Sequence, residues 1–100
     1  MLIVTGHLTI DPERREEAEA AVRACVTATR QEAGNEDYRF SWDLDEPGRL
    51  NLVEQWADEE AMQAHMGTPH LAEMMTAIGP CIAGSVEVVR HDVTASKPLF

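Results

Sequence analysis

The chain has 100 residues, which is enough for one domain with a small hydrophobic core. It carries 18 acidic side chains against 8 lysines and arginines, for a net charge of −10. This balance argues against a nucleic-acid surface and against a basic membrane-binding patch, because both need clustered cations. We therefore expect a single domain over residues 1–100. The two cysteines form no motif, and neither a signal peptide nor a membrane-spanning apolar run is evident, so we expect the cytoplasm.

The first half of the chain predicts a strand, a helix and a hairpin. Residues 1–10 are apolar and β-branched, which favours a strand. Asp11 and Pro12 are typical of a helix start, and apolar residues then recur at helical spacing until Gly34. Residues 38–45 alternate between aromatic or aliphatic and polar side chains, as in a strand. The predicted elements of this half are a strand over 1–10, a helix over 12–33, and strands over 38–45 and 49–57 joined by a turn at 46–48.

The second half predicts two short helices and a last strand. Asp58 begins a helix that ends near Gly67. A second helix follows, with Thr68 as its N-cap and Pro69 in its first turn, and it ends at Gly79. A strand over 84–94 follows. The order β-α-β-β-α-α-β is that of the ferredoxin-like α+β fold, a four-stranded antiparallel sheet with its helices on one face.

A second copy of the chain is the expected partner. The first and last strands carry apolar residues on both faces, and such a sheet favours cover on both sides. The C-terminal segment ends in Leu99 and Phe100, as would an arm that docks into a neighbour. We expect a homodimer that packs sheet against sheet.

Two histidines near the break between the short helices are the candidates for proton chemistry. His65 lies towards the negative end of its helix, which favours the protonated ring, whereas His70 lies in the first turn of the next helix, which favours the neutral ring. One ring could therefore hold a proton while the other accepts one. Alternatively, both rings bond backbone groups at the break. Together with Glu73 they could suggest a metal site, but the break prevents regular helical pairing, so we expect no metal.

The third strand and the short helices supply further candidates. Glu54 shares an otherwise apolar face with Trp56, so it is either a pocket acid or base, or a structural salt bridge with Arg39 or with an arginine of the second subunit. Trp56 is either a core residue or an aromatic wall. Four more residues could line an adaptable pocket or fill a core: Met62, Met66, Leu71 and Met75.

Residues 53–71 read VEQWADEEAMQAHMGTPHL and resemble the antibiotic biosynthesis monooxygenase family. The resemblance extends over nearly the whole chain and implies a dimeric α+β barrel built from two ferredoxin-like subunits. It also implies oxidation of a quinol or hydroxylated aromatic by O₂, with no metal or flavin cofactor. His65, Trp56 and His70 match the family motif by position. The resemblance thus implies that His65 is the base or hydroxyl anchor and Trp56 the aromatic wall.

Two other functions stay open. A related branch contains an isomerase of a phosphorylated autoinducer sugar with a closely similar motif, although this chain offers few basic residues near the site for a phosphate. The chain could also be a non-catalytic dimeric module that binds a small ligand. If the methionines and Leu71 fill the space between the sheet and the broken helix, no substrate fits, and both enzyme hypotheses fail.

Overall fold

The computed structural model describes all residues 1–100. Its regular elements are β1 (Leu2–Ile10), α1 (Arg15–Thr29), β2 (Asn35–Trp42), β3 (Arg49–Trp56), α2 (Glu59–Met66), α3 (Pro69–Ile78) and β4 (Ile82–Asp92). The four strands form one antiparallel sheet in the order β2-β3-β1-β4. The predicted ferredoxin-like α+β fold is therefore confirmed. No helix is long and apolar enough to cross a membrane.

The core lies between the helices and one face of the sheet. Residues of β1 and β3 that pair across the ladder, such as Leu2 with Trp56 and Leu8 with Leu50, project to this face and are buried. Buried residues of α1 and α3 pack against them: Ala18, Val22, Cys25, Leu71, Met74 and Ile78. β4 is the uncovered edge of this face, because Val86 and Val88 remain about half exposed.

The helix starts follow the capping chemistry of the sequence with one exception. The Asp58 carboxylate accepts the N–H of Ala61 at 2.9 Å at the start of α2, as expected for an N-cap. Thr68 occupies the N-cap position of α3, but its hydroxyl does not cap that helix. It donates instead to the backbone carbonyl of His65 at 2.7 Å. Thr68 thus has the predicted N-cap position, but the predicted capping bond is wrong. The bond that it makes instead connects the end of α2 to the start of α3.

The first helix is shorter than predicted. It ends at Thr29 rather than at residue 33, and the guanidinium of Arg30 donates to the carbonyl of Tyr38 at 3.0 and 3.2 Å. The chain then turns through Gly34, whose φ of +83° favours glycine and whose missing Cβ would lie 2.5 Å from the Cβ of Ala61. Consequently Glu32 lies in this turn, where it faces α2 and α3.

Two strands are also shifted relative to the prediction. β2 covers 35–42 instead of 38–45, because the Asp43 carboxylate accepts the backbone N–H groups of Asp45 and Glu46 and closes a turn. Leu44 lies in that turn and is fully exposed. β4 begins at Ile82 rather than at 84, since Ile82 already pairs with Ile10.

Candidate functional site

A cavity of about 580 Å³ lies between the sheet and the pair α2–α3, on the side of β4. This volume is typical of a small-molecule pocket. Predicted pocket residues line it and do not fill it: Glu54, Met62, His65, Met66, Leu71 and Met75. Met62 and Leu71 are buried in its wall, whereas Met66 and Met75 are more than half exposed at its mouth.

His65 is held rigidly at one end of this cavity. Its side chain is 2% exposed. The ring packs against Trp56, with centroids 4.7 Å apart and an interplanar angle of 36°, and the edge of Tyr38 approaches it at 5.3 Å. Because two aromatic rings fix its orientation, its two nitrogens face different surroundings.

One nitrogen of His65 is bound inside the protein and the other is free. Nδ1 lies 2.8 Å from Oε2 of Glu32. Because a carboxylate can only accept, Nδ1 carries a proton, and in the neutral ring Nε2 keeps its lone pair. Nε2 makes no hydrogen bond within the protein. Every fully buried side-chain nitrogen or oxygen has a hydrogen-bond partner, so Nε2 is not fully buried. Nε2 is therefore reached from the cavity that His65 lines.

His70 does not line the cavity, although it lies close to His65. Its Nε2 is 2.7 Å from the same oxygen of Glu32, so the carboxylate bridges the two rings. On its other side His70 lines a surface groove between α1 and α3, together with Glu73. The structure thus brings the two histidines together through Glu32 and not through Glu73.

Sequence reasoning missed Glu32 because it placed this residue inside the first helix. The helical pattern of the preceding residues has no feature that marks its end at Thr29. Gly34 correctly marked the reversal of the chain, but the helix ends before it, at Thr29. A helix that ends at Thr29 leaves Glu32 in the following turn, from which its carboxylate reaches His65.

Glu54 lines the cavity as a carboxylate without a cationic partner. Its Oε1 accepts the indole N–H of Trp56 at 3.0 Å. Arg39 pairs with Asp37 at 2.7 Å on the opposite face of the sheet, so the predicted salt bridge between Arg39 and Glu54 is wrong. Burial raises the pKa of Glu54, although the hydrogen bond from Trp56 acts in the other direction, as does the charge of His65 when its ring is protonated.

Trp56 supports the site from behind. It is fully buried and does not line the cavity. Its indole packs on His65 and its N–H holds Glu54. Its observed contacts therefore make it a positioning residue for the two polar groups that face the cavity.

Arg90 is a cavity residue that sequence reasoning did not single out. It lies on β4, and its guanidinium contacts Glu59 of α2 at 3.1 Å and Asp92 at 2.9 Å. Two carboxylates thus already neutralise the one cation of the cavity. Arg90 pairs with Val4 across the sheet, and Val4 pairs with Glu54 on its other side. This register places Arg90 on the same face of the sheet as Glu54, and it was the signal that could have identified Arg90.

Comparisons with known proteins agree with this architecture. YcnE of Bacillus subtilis strain 168 is 27% identical over 94 residues, which is 94% of this chain and 99% of that protein. The structure of Rv0793 from Mycobacterium tuberculosis is 25% identical and superposes with a TM-score of 0.87, covering 97% of this chain and 98% of that one. A structure from Deinococcus radiodurans superposes with a TM-score of 0.91, covers 100% of this chain and 99% of that chain, and is 24% identical in sequence. It therefore shows that the fold is shared.

The family model described as antibiotic biosynthesis monooxygenase matches residues 1–77. This match includes β1 to β3 and the segment that carries Glu32, Glu54, His65 and His70. The chain therefore belongs to the antibiotic biosynthesis monooxygenase family.

Proposed function

We propose that the protein is a monooxygenase that oxidises a quinol or another hydroxylated aromatic with O₂ and without a metal or flavin cofactor, with His65 as the base. The observation that carries this proposal is the free Nε2 of His65 in a mainly apolar cavity. A nitrogen with its lone pair directed at a bound hydroxyl group can accept the hydroxyl proton.

The cavity suits an aromatic substrate of neutral charge. Its walls are mainly aliphatic, aromatic and methionine side chains, and thioethers pack well against aromatic rings. The carboxylates Glu54, Glu59 and Asp92 lie at or near the cavity and would repel an anion. A neutral phenol or quinol therefore fits the charge of the site better than an acid.

The chemistry proceeds from the deprotonated substrate. When Nε2 of His65 takes the hydroxyl proton, the resulting anion gives up an electron to O₂ far more readily than the neutral hydroxyl does. For a quinol the reaction balances as quinol plus O₂ giving hydroxyquinone plus water. Two electrons come from quinol becoming quinone, and two from a ring C–H becoming C–OH. One oxygen atom enters the ring and the other leaves as water, and the apolar walls exclude solvent from the intermediates.

Glu32 and Trp56 are positioning residues in this scheme. The carboxylate of Glu32 keeps the proton of His65 on Nδ1, which leaves Nε2 as the acceptor. Trp56 fixes the plane of the ring. Glu54 faces the same cavity and is placed to bond a second hydroxyl group of a quinol.

Met62, Met66, Leu71 and Met75 leave about 580 Å³ open, so a substrate can fit and the enzyme hypotheses stand. A non-catalytic module that binds a small ligand would have the same cavity, and oxygen uptake separates the two. A sugar-phosphate isomerase needs a free cation for the phosphate, whereas Arg90 is paired with two carboxylates.

The proposed enzyme is a homodimer. Val53 and Val89 lie on the sheet face away from the helices and are 43% and 51% exposed, and Leu99 and Phe100 are almost completely exposed. A partner sheet would bury these side chains. The half-exposed Val86 and Val88 also leave the cavity open along β4, where a neighbouring segment would narrow it.

The proposal is tested with an oxygen electrode and a panel of reduced quinones, including menadiol, on chelator-treated protein without added flavin. We expect oxygen uptake above the uncatalysed rate for at least one quinol, with a hydroxyquinone as product. Absence of enzyme-dependent uptake across the panel would contradict the monooxygenase. Turnover of a phosphorylated sugar without oxygen would instead support the isomerase.

A further inference from the structure

We propose that Glu32, His65 and His70 form a binding site for one divalent transition-metal ion, of which Zn²⁺ is the best-fitting example. Nδ1 of His65, Nε2 of His70 and a carboxylate oxygen of Glu32 all lie within 4.8 Å of one another. Two imidazoles and one carboxylate are a ligand set that zinc and other borderline transition metals favour.

The three donors converge from three separate segments. Glu32 comes from the turn after α1, His65 from α2 and His70 from the first turn of α3. Packing against Trp56 fixes the ring of His65, and the bond from Thr68 to the His65 carbonyl fixes the break between the helices. The ligands are therefore largely preorganised before an ion binds.

The spacing of the three donor atoms must change when an ion binds. The two nitrogens lie 2.8 and 2.7 Å from Oε2 of Glu32, as in hydrogen bonds. Ligands at about 2.0–2.2 Å from a tetrahedral ion are roughly 3.3 Å apart. On binding, the Glu32 carboxylate would move away from each nitrogen by about half an ångström, and the two nitrogens, which lie within 4.8 Å of each other, would settle about 3.3 Å apart around the ion.

The ion can reach this site from solvent without passing through the cavity. The side chain of His70 is 23% exposed and lines the groove between α1 and α3, whose other members include no lysine or arginine. One carboxylate with two neutral imidazoles leaves a negative site on a chain of net charge −10, which attracts cations. The groove also leaves the fourth coordination position to water.

Metal binding would alter the face of His65 that lines the cavity. An ion on Nδ1 uses the lone pair of that nitrogen, so the ring proton resides on Nε2. The cavity-facing atom then donates a hydrogen bond and no longer accepts a proton. This inhibitory consequence rests on the proposed function, whereas metal binding itself does not.

The site is tested on untagged, chelator-stripped full-length protein by calorimetric titration with Zn²⁺ and by the visible spectrum with Co²⁺. We expect one ion per chain and the strong absorption of four-coordinate Co²⁺. Glu32→Gln and His70→Asn should each weaken binding by more than about tenfold. The matched controls Glu73→Gln, in the same groove, and His91→Asn, on β4, should bind as the wild type does.

A measurement on the wild-type protein removes any dependence on the folding of the variants. In ¹⁵N imidazole spectra, Zn²⁺ should shift Nδ1 of His65 and Nε2 of His70 and leave the rings of His7 and His91 unchanged. Absence of Zn²⁺ binding, or shifts confined to His7 and His91, would overturn the metal site. None of these measurements uses a quinol, so their failure leaves the oxygen-uptake test of the proposed function untouched.

Discussion

Nδ1 of His65 lies 2.8 Å from Oε2 of Glu32, a residue 33 positions earlier in the chain. This bond sets the tautomer of the imidazole, and the same carboxylate oxygen also contacts His70. The function proposed for His65 therefore depends on a residue that does not touch the cavity.

Replacement of Glu32 by Gln should lower kcat on the order of 10²-fold and change KM little. The neutral amide accepts more weakly and can turn its NH₂ towards Nδ1, which favours the tautomer with the proton on Nε2. Steady-state oxygen uptake with the best quinol measures the split between the two constants. Glu32→Asp should restore part of kcat, and an equal loss in both variants together with a lowered Tm would indicate a purely structural role.

Replacement of Glu54 by Gln should raise Tm at neutral pH and have little effect near pH 4. Desolvation raises the pKa of Glu54 above its ordinary value of 4.5 in the folded protein. As pH rises past that ordinary value, the unfolded chain loses this proton first, so the wild type loses stability until the raised pKa is passed. Gln cannot ionise, and its oxygen can still accept the indole N–H of Trp56. Thermal unfolding at both pH values checks this, and a gain confined to acid would contradict it.

Replacement of Gly34 by Ala should destabilise the fold by roughly 1–3 kcal/mol. Its φ of +83° is strained for alanine, and the new Cβ would lie 2.5 Å from the Cβ of Ala61. Because this turn carries Glu32, activity should fall as well. Gly79→Ala is the matched control, since Gly79 has helical backbone angles and no atom within 4 Å of the added Cβ. Urea unfolding should show the loss in the first variant only.

Replacement of Val89 by Glu should convert a dimer into a monomer. Val89 is 51% exposed in the single chain and lies on the sheet face away from the helices, so a charge there is harmless to the monomer but costly inside a sheet-to-sheet interface. Light scattering at micromolar concentration should give twice the chain mass for the wild type and for Thr27→Glu on α1. A wild type that scatters as a single chain would refute the dimer.

The element order was predictable from sequence because its signals are local. Asp58 and Pro69 mark helix starts, and the alternation around Phe40 marks a strand. The boundaries failed where a side chain bonds the backbone, as Asp43 does at the end of β2. The family motif indicated that His65 belongs to the site. Its partner Glu32 could not be predicted, because their bond joins a turn to a helix that is distant in sequence.

The proposed mechanism requires the free Nε2 of His65 to take a proton from the substrate. The most direct test compares oxygen uptake by the wild type, His65→Asn and the control His91→Asn with the same quinol, after chelation and without flavin. We expect His65→Asn to lose at least about 10²-fold in kcat while it stays folded and still binds the quinol, and His91→Asn to be unchanged. Undiminished oxygen uptake by a folded His65→Asn protein would contradict it.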